Sequence, residues 1–190
     1  EGREDEIREC IGCNICVSGY HDSVPIRCTQ NPTMGEEWRR GWHPERIPAG
    51  DPDTSVLIVG AGPAGLECAR ALGQRGFAVT VAEAREELGG RVTIEAQLPS
   101  LSTWARVRDY RTNLIKTMSN VDVYRGSQLS AQEVIDFGCD HAVIATGAYW
   151  MRELINADGF PVEKFDGNVF TPDEVLSGID VTGPVVIYDF

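Results

Sequence analysis

The feature that most restricts the fold of this chain is a short apolar run that ends in a glycine-rich turn. Residues Ser55–Val59 are mostly β-branched and show no polar alternation, which is typical of a strand buried in a parallel sheet. Gly60, Gly62 and Gly65 follow at once in a G-x-G-x-x-G pattern. In this pattern the first glycine permits a tight turn, the second lets backbone approach a pyrophosphate, and the third lets a helix pack closely on the strand.

The residues after this turn predict a helix. Pro63 lies near its first position, where the missing N–H costs nothing. The helix is predicted to end at about Arg75, because Gly76 suits a left-handed stop. Its unbonded N–H groups and its dipole would face the phosphates of a bound nucleotide.

A glycine motif alone is weak evidence for a nucleotide site, so a partner acid is needed. The second predicted strand, Ala78–Ala82, leads directly to Glu83. A carboxylate at this strand end can accept hydrogen bonds from a ribose diol, and an acid in place of an arginine favours an unphosphorylated ribose. The alternative is a solvated surface glutamate.

Four cysteines near the start of the chain form a second motif. Cys10, Cys13, Cys16 and Cys28 have C-x2-C-x2-C-x11-C spacing, which puts three thiolates on one tight loop and the fourth on another. This spacing favours a 4Fe-4S cluster and one-electron transfer. Structural zinc is the leading alternative, although zinc sites more often pair two separated C-x2-C hairpins. A disulfide framework is disfavoured, because cysteines this close pair poorly with one another.

The rest of the chain alternates between predicted helices and strands. These elements are a helix that Ser102 or Thr103 caps and that ends at about Met118, a strand Val121–Tyr124, a helix from the Ser130–Glu133 capping box to Gly138, a strand His141–Ala145, a helix from the Thr171–Glu174 capping box to Gly178, and a strand Val185–Tyr188.

The predicted fold class is therefore α/β, a doubly wound Rossmann-like nucleotide-binding domain preceded by a loop-rich iron-sulfur cluster segment. Residues 1–50 form the cluster segment, 51–182 the dinucleotide-binding domain, and 183–190 the first strand of a following domain. A single strand at the end and the absence of Met at the start lead us to expect a piece of a longer protein.

Composition restricts the partners and the compartment. A net charge of -12 and a pI near 4.6 disfavour nucleic acid and anionic membrane as partners. The sequence has no run of about 20 apolar residues that could cross a bilayer. Its first residues, Glu1–Glu9, are too charged for a secretory signal. We expect a cytoplasmic location.

Several segments together resemble the trimethylamine, dimethylamine and histamine dehydrogenases, iron-sulfur flavoproteins of the old yellow enzyme class. The likeness is greatest to the histamine dehydrogenase branch. It is carried by Cys10–Cys16, Cys28–Asn31, Gly35–Glu45, Val59–Pro63, Leu88–Arg91 and Ala145–Gly147, and it extends over essentially the whole chain.

The resemblance implies a larger oxidoreductase, in which a barrel absent from this chain holds FMN and oxidises a small amine. The cluster on the four cysteines would take electrons from FMN and pass them to an electron-transferring flavoprotein. The full protein would be a homodimer, and this chain alone, with no catalytic residue, would be inactive.

The same resemblance implies ADP, or FAD, in the dinucleotide site. By position, the residues implied to line that site are Gly60, Gly62, Pro63, Ala64, Gly65, Glu83, Ala84, Gly90, Arg91, Ala145, Thr146 and Gly147.

The dienoyl-CoA and enoate reductases are the alternative family, since they share this architecture but use FAD and NAD(P)H. They usually separate the second and third cysteines by three residues, whereas two residues separate Cys13 from Cys16. Asp189 also stands where a nicotinamide-binding domain would place the first glycine of its turn. Both features favour the amine dehydrogenases.

Overall fold

The computed structural model describes residues 2–36, 38, 47–156, 158–162 and 167–188. The chain divides into two compact units, one that ends at Gly147 and one that begins at Ala148. In the described part of the chain, no helix has the length and apolar character needed to cross a membrane.

The first unit is built on a parallel sheet. Its strands are β1 (Ser55–Val59), β2 (Ala78–Ala82), β3 (Val121–Tyr124) and β4 (His141–Ile144). The strand order is β3-β2-β1-β4, and every neighbouring pair is parallel. The chain therefore moves to one side of β1 and then crosses to the other, which creates a crevice at the carboxyl ends of the strands.

Helices connect the strands and flank the sheet. The helices of the first unit are α1 (Ile15–His21), α2 (Pro63–Arg75), α3 (Arg91–Glu95), α4 (Ala105–Lys116) and α5 (Ala131–Asp136). The second unit contains α6 (Pro172–Leu176), capped by Thr171, and an antiparallel bridge between Ile155 and Pro161.

Both faces of β1 are buried, as its continuous apolar sequence predicts. Val56 and Ile58 pack in one cluster with residues of α2, whereas Leu57 and Val59 pack on the opposite face with Val134 of α5. Alternate residues of a strand point to opposite faces, so a strand covered on both sides must be apolar throughout. The predicted doubly wound α/β fold is confirmed.

The helix ends follow the predicted local signals. Pro63 begins α2, and Gly76 ends it with a left-handed φ of 91°. Ser130 caps α5 through a capping box, in which its backbone N–H donates to Glu133 Oε2 at 2.7 Å and its hydroxyl accepts from the Glu133 N–H at 3.3 Å. These residues explain where each helix starts or stops.

Replacing Ser130 with alanine is expected to destabilise the first unit by about 1 kcal/mol, because α5 loses its side-chain acceptor at the N-terminus. Urea unfolding followed by circular dichroism measures this change. Ser119→Ala, at an exposed turn position, is the control and should leave the midpoint unchanged. Equal midpoints for both variants would contradict the capping role.

Two predicted elements differ from the structure. The turn Ser102–Trp104 is a 3-10 segment without a side-chain cap, because the Thr103 hydroxyl instead donates to the Ile11 carbonyl at 3.1 Å. Val185–Tyr188 is not a strand, and no described strand pairs with it. Without a hydrogen-bonding neighbour an apolar segment cannot form a ladder, and Val186 and Ile187 are each 89% exposed.

Some predictions lie outside the described residues. They include the part of the Gly35–Glu45 segment at residues 37 and 39–45, and Asp189, which entered the distinction from the reductases. The proposed domain boundaries stay a prediction.

Candidate functional site

The glycine turn after β1 is shaped by close backbone packing at two of its three glycines. A Cβ on Gly60, whose φ is +100°, would lie 2.4 Å from the Ala145 carbonyl oxygen. One on Gly65 would lie 1.9 Å from the Gly60 carbonyl oxygen. A Cβ on Gly62 would meet nothing within 4 Å. Gly62 therefore presents bare backbone to open space, at the position where the motif predicts a pyrophosphate.

A second predicted loop packs on this turn. The Gly89 N–H donates to the Ala61 carbonyl at 2.8 Å. Gly90 has a φ of +56°, and a Cβ there would lie 3.1 Å from the Gly62 Cα. Arg91 is the first residue of α3. The loop that ends at Arg91 is thus held directly against Ala61 and Gly62 of the glycine turn.

Glu83 lies at the carboxyl end of β2, where the sequence predicts a ribose acceptor. Its side chain is buried, and its Oε2 accepts from the Ala61 N–H at 2.7 Å while Oε1 accepts from the Arg85 N–H at 2.9 Å. The carboxylate thus also stabilises the backbone of the glycine turn. It is not a solvated surface group, and its bond to a ribose stays a prediction.

The contacts bring three predicted loops to one edge of the sheet. Ala145 follows β4, and its N–H donates to the Val59 carbonyl at 2.8 Å. Thr146 and Gly147 continue from it as exposed residues. Pro63 and Ala64 are exposed in the first turn of α2, and Ala84 is exposed next to Glu83. The arrangement is a crevice that begins at a helix N-terminus, which suits an anionic nucleotide.

The first three cysteines lie on a tightly turning loop that leads into α1. Gly12 and Asn14 have left-handed φ values of 70° and 61°. The Gly12 N–H donates to Cys10 Sγ at 3.3 Å. Backbone donors of this kind stabilise anionic sulfur.

The loop of the fourth cysteine touches this first loop. Cys13 Sγ lies 2.7 Å from the hydroxyl oxygen of Thr29, the residue after Cys28. The hydrogen bond from Thr29, together with one from the Ile15 N–H, holds the pKa of the Cys13 thiol below its ordinary value, despite the opposing effect of burial. These hydrogen bonds therefore make it easier for the thiol to ionise to the thiolate, the form that binds metals.

The four sulfurs are nevertheless not preassembled around a centre. None of the six cysteines forms a disulfide, and among the residues that the structure describes no group of three or more Cys, His, Asp or Glu side chains is placed to hold a metal ion. The donor chemistry and the adjacent loops fit an iron-sulfur cluster. The ligand geometry would have to form on binding, as is usual where a metal completes the folding of its own site.

Helix α4 supports the loop of the first three cysteines. Arg106 Nη1 donates to the Cys10 carbonyl at 2.7 Å, and Arg106 Nε lies 3.1 Å from Glu9 Oε2. Thr103, just before α4, holds the Ile11 carbonyl, and the Ile11 side chain is buried. Within the first unit, specific polar contacts therefore join the cysteine segment to the part that carries the sheet and the glycine turn.

A buried polar network, which sequence reasoning missed, lies beneath the loop of the fourth cysteine. Arg111 is 5% exposed, and its Nε donates to Glu67 Oε2 of α2 at 2.7 Å. Arg70 also donates to Glu67, at 2.6 Å. Burial raises the pKa of Glu67, but the hydrogen bond from Arg70 and the charges of Arg111, Arg70 and Arg8 outweigh it, so its pKa lies below the ordinary value. The only local signal was the spacing of Glu67 and Arg70, which is also typical of exposed helix pairs.

Comparison with known proteins agrees with this geometry. Residues 54–181 match the family model described as pyridine nucleotide-disulphide oxidoreductase, which includes the sheet, the glycine turn and Glu83. The chain belongs to this family. The prediction of an oxidoreductase family is therefore confirmed.

Individual relatives confirm the resemblance to the amine dehydrogenases. The chain is 42% identical to dimethylamine dehydrogenase of Hyphomicrobium sp. (strain x), over 98% of this chain and 27% of that protein. Histamine dehydrogenase from Rhizobium sp. 4-9 superposes with a TM-score of 0.86 at 48% identity, over 95% of this chain and 26% of that one. For 6-hydroxypseudooxynicotine amine oxidase from Pseudomonas geniculata N1 the TM-score is 0.87 and the identity 47%, over 93% and 27%. This family member thus spans about a quarter of the length of these relatives.

Proposed function

We propose that this chain is the electron-transfer and nucleotide-binding portion of an iron-sulfur flavoprotein amine dehydrogenase. The observation that carries the proposal is the contact between a C-x2-C-x2-C-x11-C segment and an oxidoreductase nucleotide unit, in a chain similar along its length to an amine dehydrogenase. That combination is far more specific than either motif alone.

The nucleotide proposed for the crevice is ADP, with FAD as its larger analogue. Gly62 and the first N–H groups of α2 would bind the phosphates, because the backbone is open there and the helix dipole favours anions. Glu83 would accept hydrogen bonds from the ribose, and Gly90 and Arg91 would line the other side.

The cysteines proposed to hold a 4Fe-4S cluster are Cys10, Cys13, Cys16 and Cys28. When bound, such a cluster supplies one-electron transfer at a potential set by its hydrogen bonds and burial. The Gly12 N–H and the Thr29 hydroxyl would donate to ligand sulfurs. Arg106 would hold the Cys10 backbone in place.

The remaining proposals concern the whole protein. An FMN-bearing barrel would oxidise a small amine, and an electron-transferring flavoprotein would accept the electrons. We also propose a cytoplasmic homodimer that binds neither nucleic acid nor membrane, in keeping with the net charge of -12.

Purification of the chain under anaerobic conditions tests this function. The expected product is brown, contains about four irons per chain, bleaches reversibly with dithionite and releases ADP on denaturation. Colourless protein with one zinc would remove the electron-transfer role, because zinc has no redox chemistry. Tightly bound FAD or NADH in place of ADP would favour a reductase of the dienoyl-CoA and enoate type.

Gly62→Ala is expected to weaken ADP binding at least tenfold while the free energy of unfolding changes little. The added methyl meets no protein atom within 4 Å, so it affects only a ligand that approaches the backbone. Isothermal titration calorimetry with ADP and urea unfolding measure the two effects. Gly19→Ala, on α1, controls for a general effect of removing a glycine, because its backbone is not left-handed and the added Cβ would make only ordinary van der Waals contacts at 3.4 Å or more. Unchanged ADP affinity would place the phosphates elsewhere.

A further inference from the structure

Gln30 joins both cysteine-bearing loops to the nucleotide unit through a single amide. It lies two residues after Cys28 and is 2% exposed. Its Oε1 accepts from Arg111 Nη1 at 2.8 Å, and its Nε2 donates to the carbonyl of Glu9 at 3.3 Å. Glu9 directly precedes Cys10. One side chain therefore bonds both to the residue that precedes the first cysteine and, through Arg111, to α4.

Arg111 is itself held rigidly. Its guanidinium also donates to the Val107 carbonyl at 2.8 Å and to Glu67 on α2. A planar guanidinium with several fixed donors orients an acceptor more firmly than a flexible ammonium does. Gln30 thus receives its hydrogen bond from a group that two helices fix in place.

The first loop reaches the same helix independently. Thr103 and Arg106 hold the carbonyls of Ile11 and Cys10, whereas Arg111 holds Gln30. Both loops are therefore attached to α4 or to the turn that precedes it. The amide of Gln30 adds a direct link between them, which limits how far the two loops can move apart.

We propose that Gln30, anchored by Arg111, is a positioning residue that sets the Cys28 loop against the Cys10–Cys16 loop so that the fourth thiolate can complete the cluster. This inference rests on the proposed function. A buried amide whose two ends bond to separate segments holds those segments at a defined distance, and its loss would leave buried polar groups without partners.

The experiment compares iron release from matched amide variants of the chain. Gln30→Leu removes the two hydrogen bonds with little change in volume. Asn120→Leu does the same at a distant site, where the Asn120 amide donates to the carbonyls of Gly73 and Phe77 at 2.9 and 2.8 Å. Iron transfer to a chelator is followed by absorbance, the reduced cluster by electron paramagnetic resonance, and ADP content serves as a check of folding.

Gln30→Leu is expected to release iron at least tenfold faster than the unmodified chain and to change the resonance spectrum, while its ADP content is unchanged. Gln30→Glu keeps an acceptor for Arg111 but replaces the donor to the Glu9 carbonyl with an oxygen, so it breaks the direct link between the loops and should also release iron faster than the unmodified chain. Asn120→Leu should lower the unfolding midpoint without accelerating iron release. Gln30→Glu also provides the measurement if Gln30→Leu fails to fold.

Three results would overturn the inference. They are equal release from Gln30→Leu and the unmodified chain, release from Gln30→Glu at the unmodified rate, and equal acceleration by Asn120→Leu. An unmodified chain that contains no iron would instead remove the proposed cluster, and the positioning role with it. Failure of the inference and failure of the proposed function are therefore distinguishable.

Discussion

Cys28→Ala is expected to lower the iron content well below the value of about four per chain expected for the unmodified protein, because the cluster loses one of its four proposed thiolate ligands. The brown absorbance and the dithionite-dependent bleaching should decrease together with the iron. Inductively coupled plasma mass spectrometry and visible spectra of anaerobically purified protein measure the loss. ADP should remain bound, because the nucleotide crevice is formed by other loops.

Cys68→Ala is the matched control for this change. Cys68 is half-buried on α2 against the apolar core, and burial raises the pKa of its thiol, so it behaves as a small hydrophobic group. This variant should lose a little stability and keep its iron. If the two variants held the same amount of iron, Cys28 would not be a ligand.

Gly65→Ala is expected to destabilise the first unit by about 3 kcal/mol or more, with loss of ADP binding as a consequence. The new Cβ would lie 1.9 Å from the Gly60 carbonyl oxygen, and both groups are backbone, so neither can rotate away. The helix α2 would have to shift from β1. Urea unfolding and calorimetry with ADP measure the two effects.

Gly62→Ala is the matched comparison for this prediction. Both changes add one methyl to the same turn, yet one meets backbone and the other meets open space. Gly65→Ala should lower the free energy of unfolding, whereas Gly62→Ala should lower only the affinity for ADP. A Gly65→Ala protein with an unchanged unfolding midpoint would show that the packing of α2 on β1 is looser than described.

The nucleotide crevice was predictable because its signals are local. The apolar run of β1, the spacing of the glycines and the position of Glu83 after β2 each depend on a few neighbouring residues. Capping boxes predicted the starts of α5 and α6 for the same reason. The parallel sheet order then follows from the rules that govern β-α-β connections.

The support of the cysteine loops could not be predicted in this way. Gln30 and Arg111 are distant in sequence, and no periodicity links a glutamine in a loop to an arginine on a helix. Thr103 looked like a helix cap, because its hydroxyl suits that role, but the Ile11 carbonyl competes for it. The prediction of a strand at Val185–Tyr188 was wrong for a related reason. Strand-forming residues need a neighbouring strand, which local sequence cannot supply.

The attachment of both cysteine loops to α4 has a geometric consequence. Arg106 and Arg111 lie five residues apart on one helix, so helical pitch fixes both their spacing along the axis and their angle around it. One residue inserted between them would turn Arg111 by about 100°, away from Gln30. The geometry of α4 therefore determines where the two cysteine loops attach to the first unit.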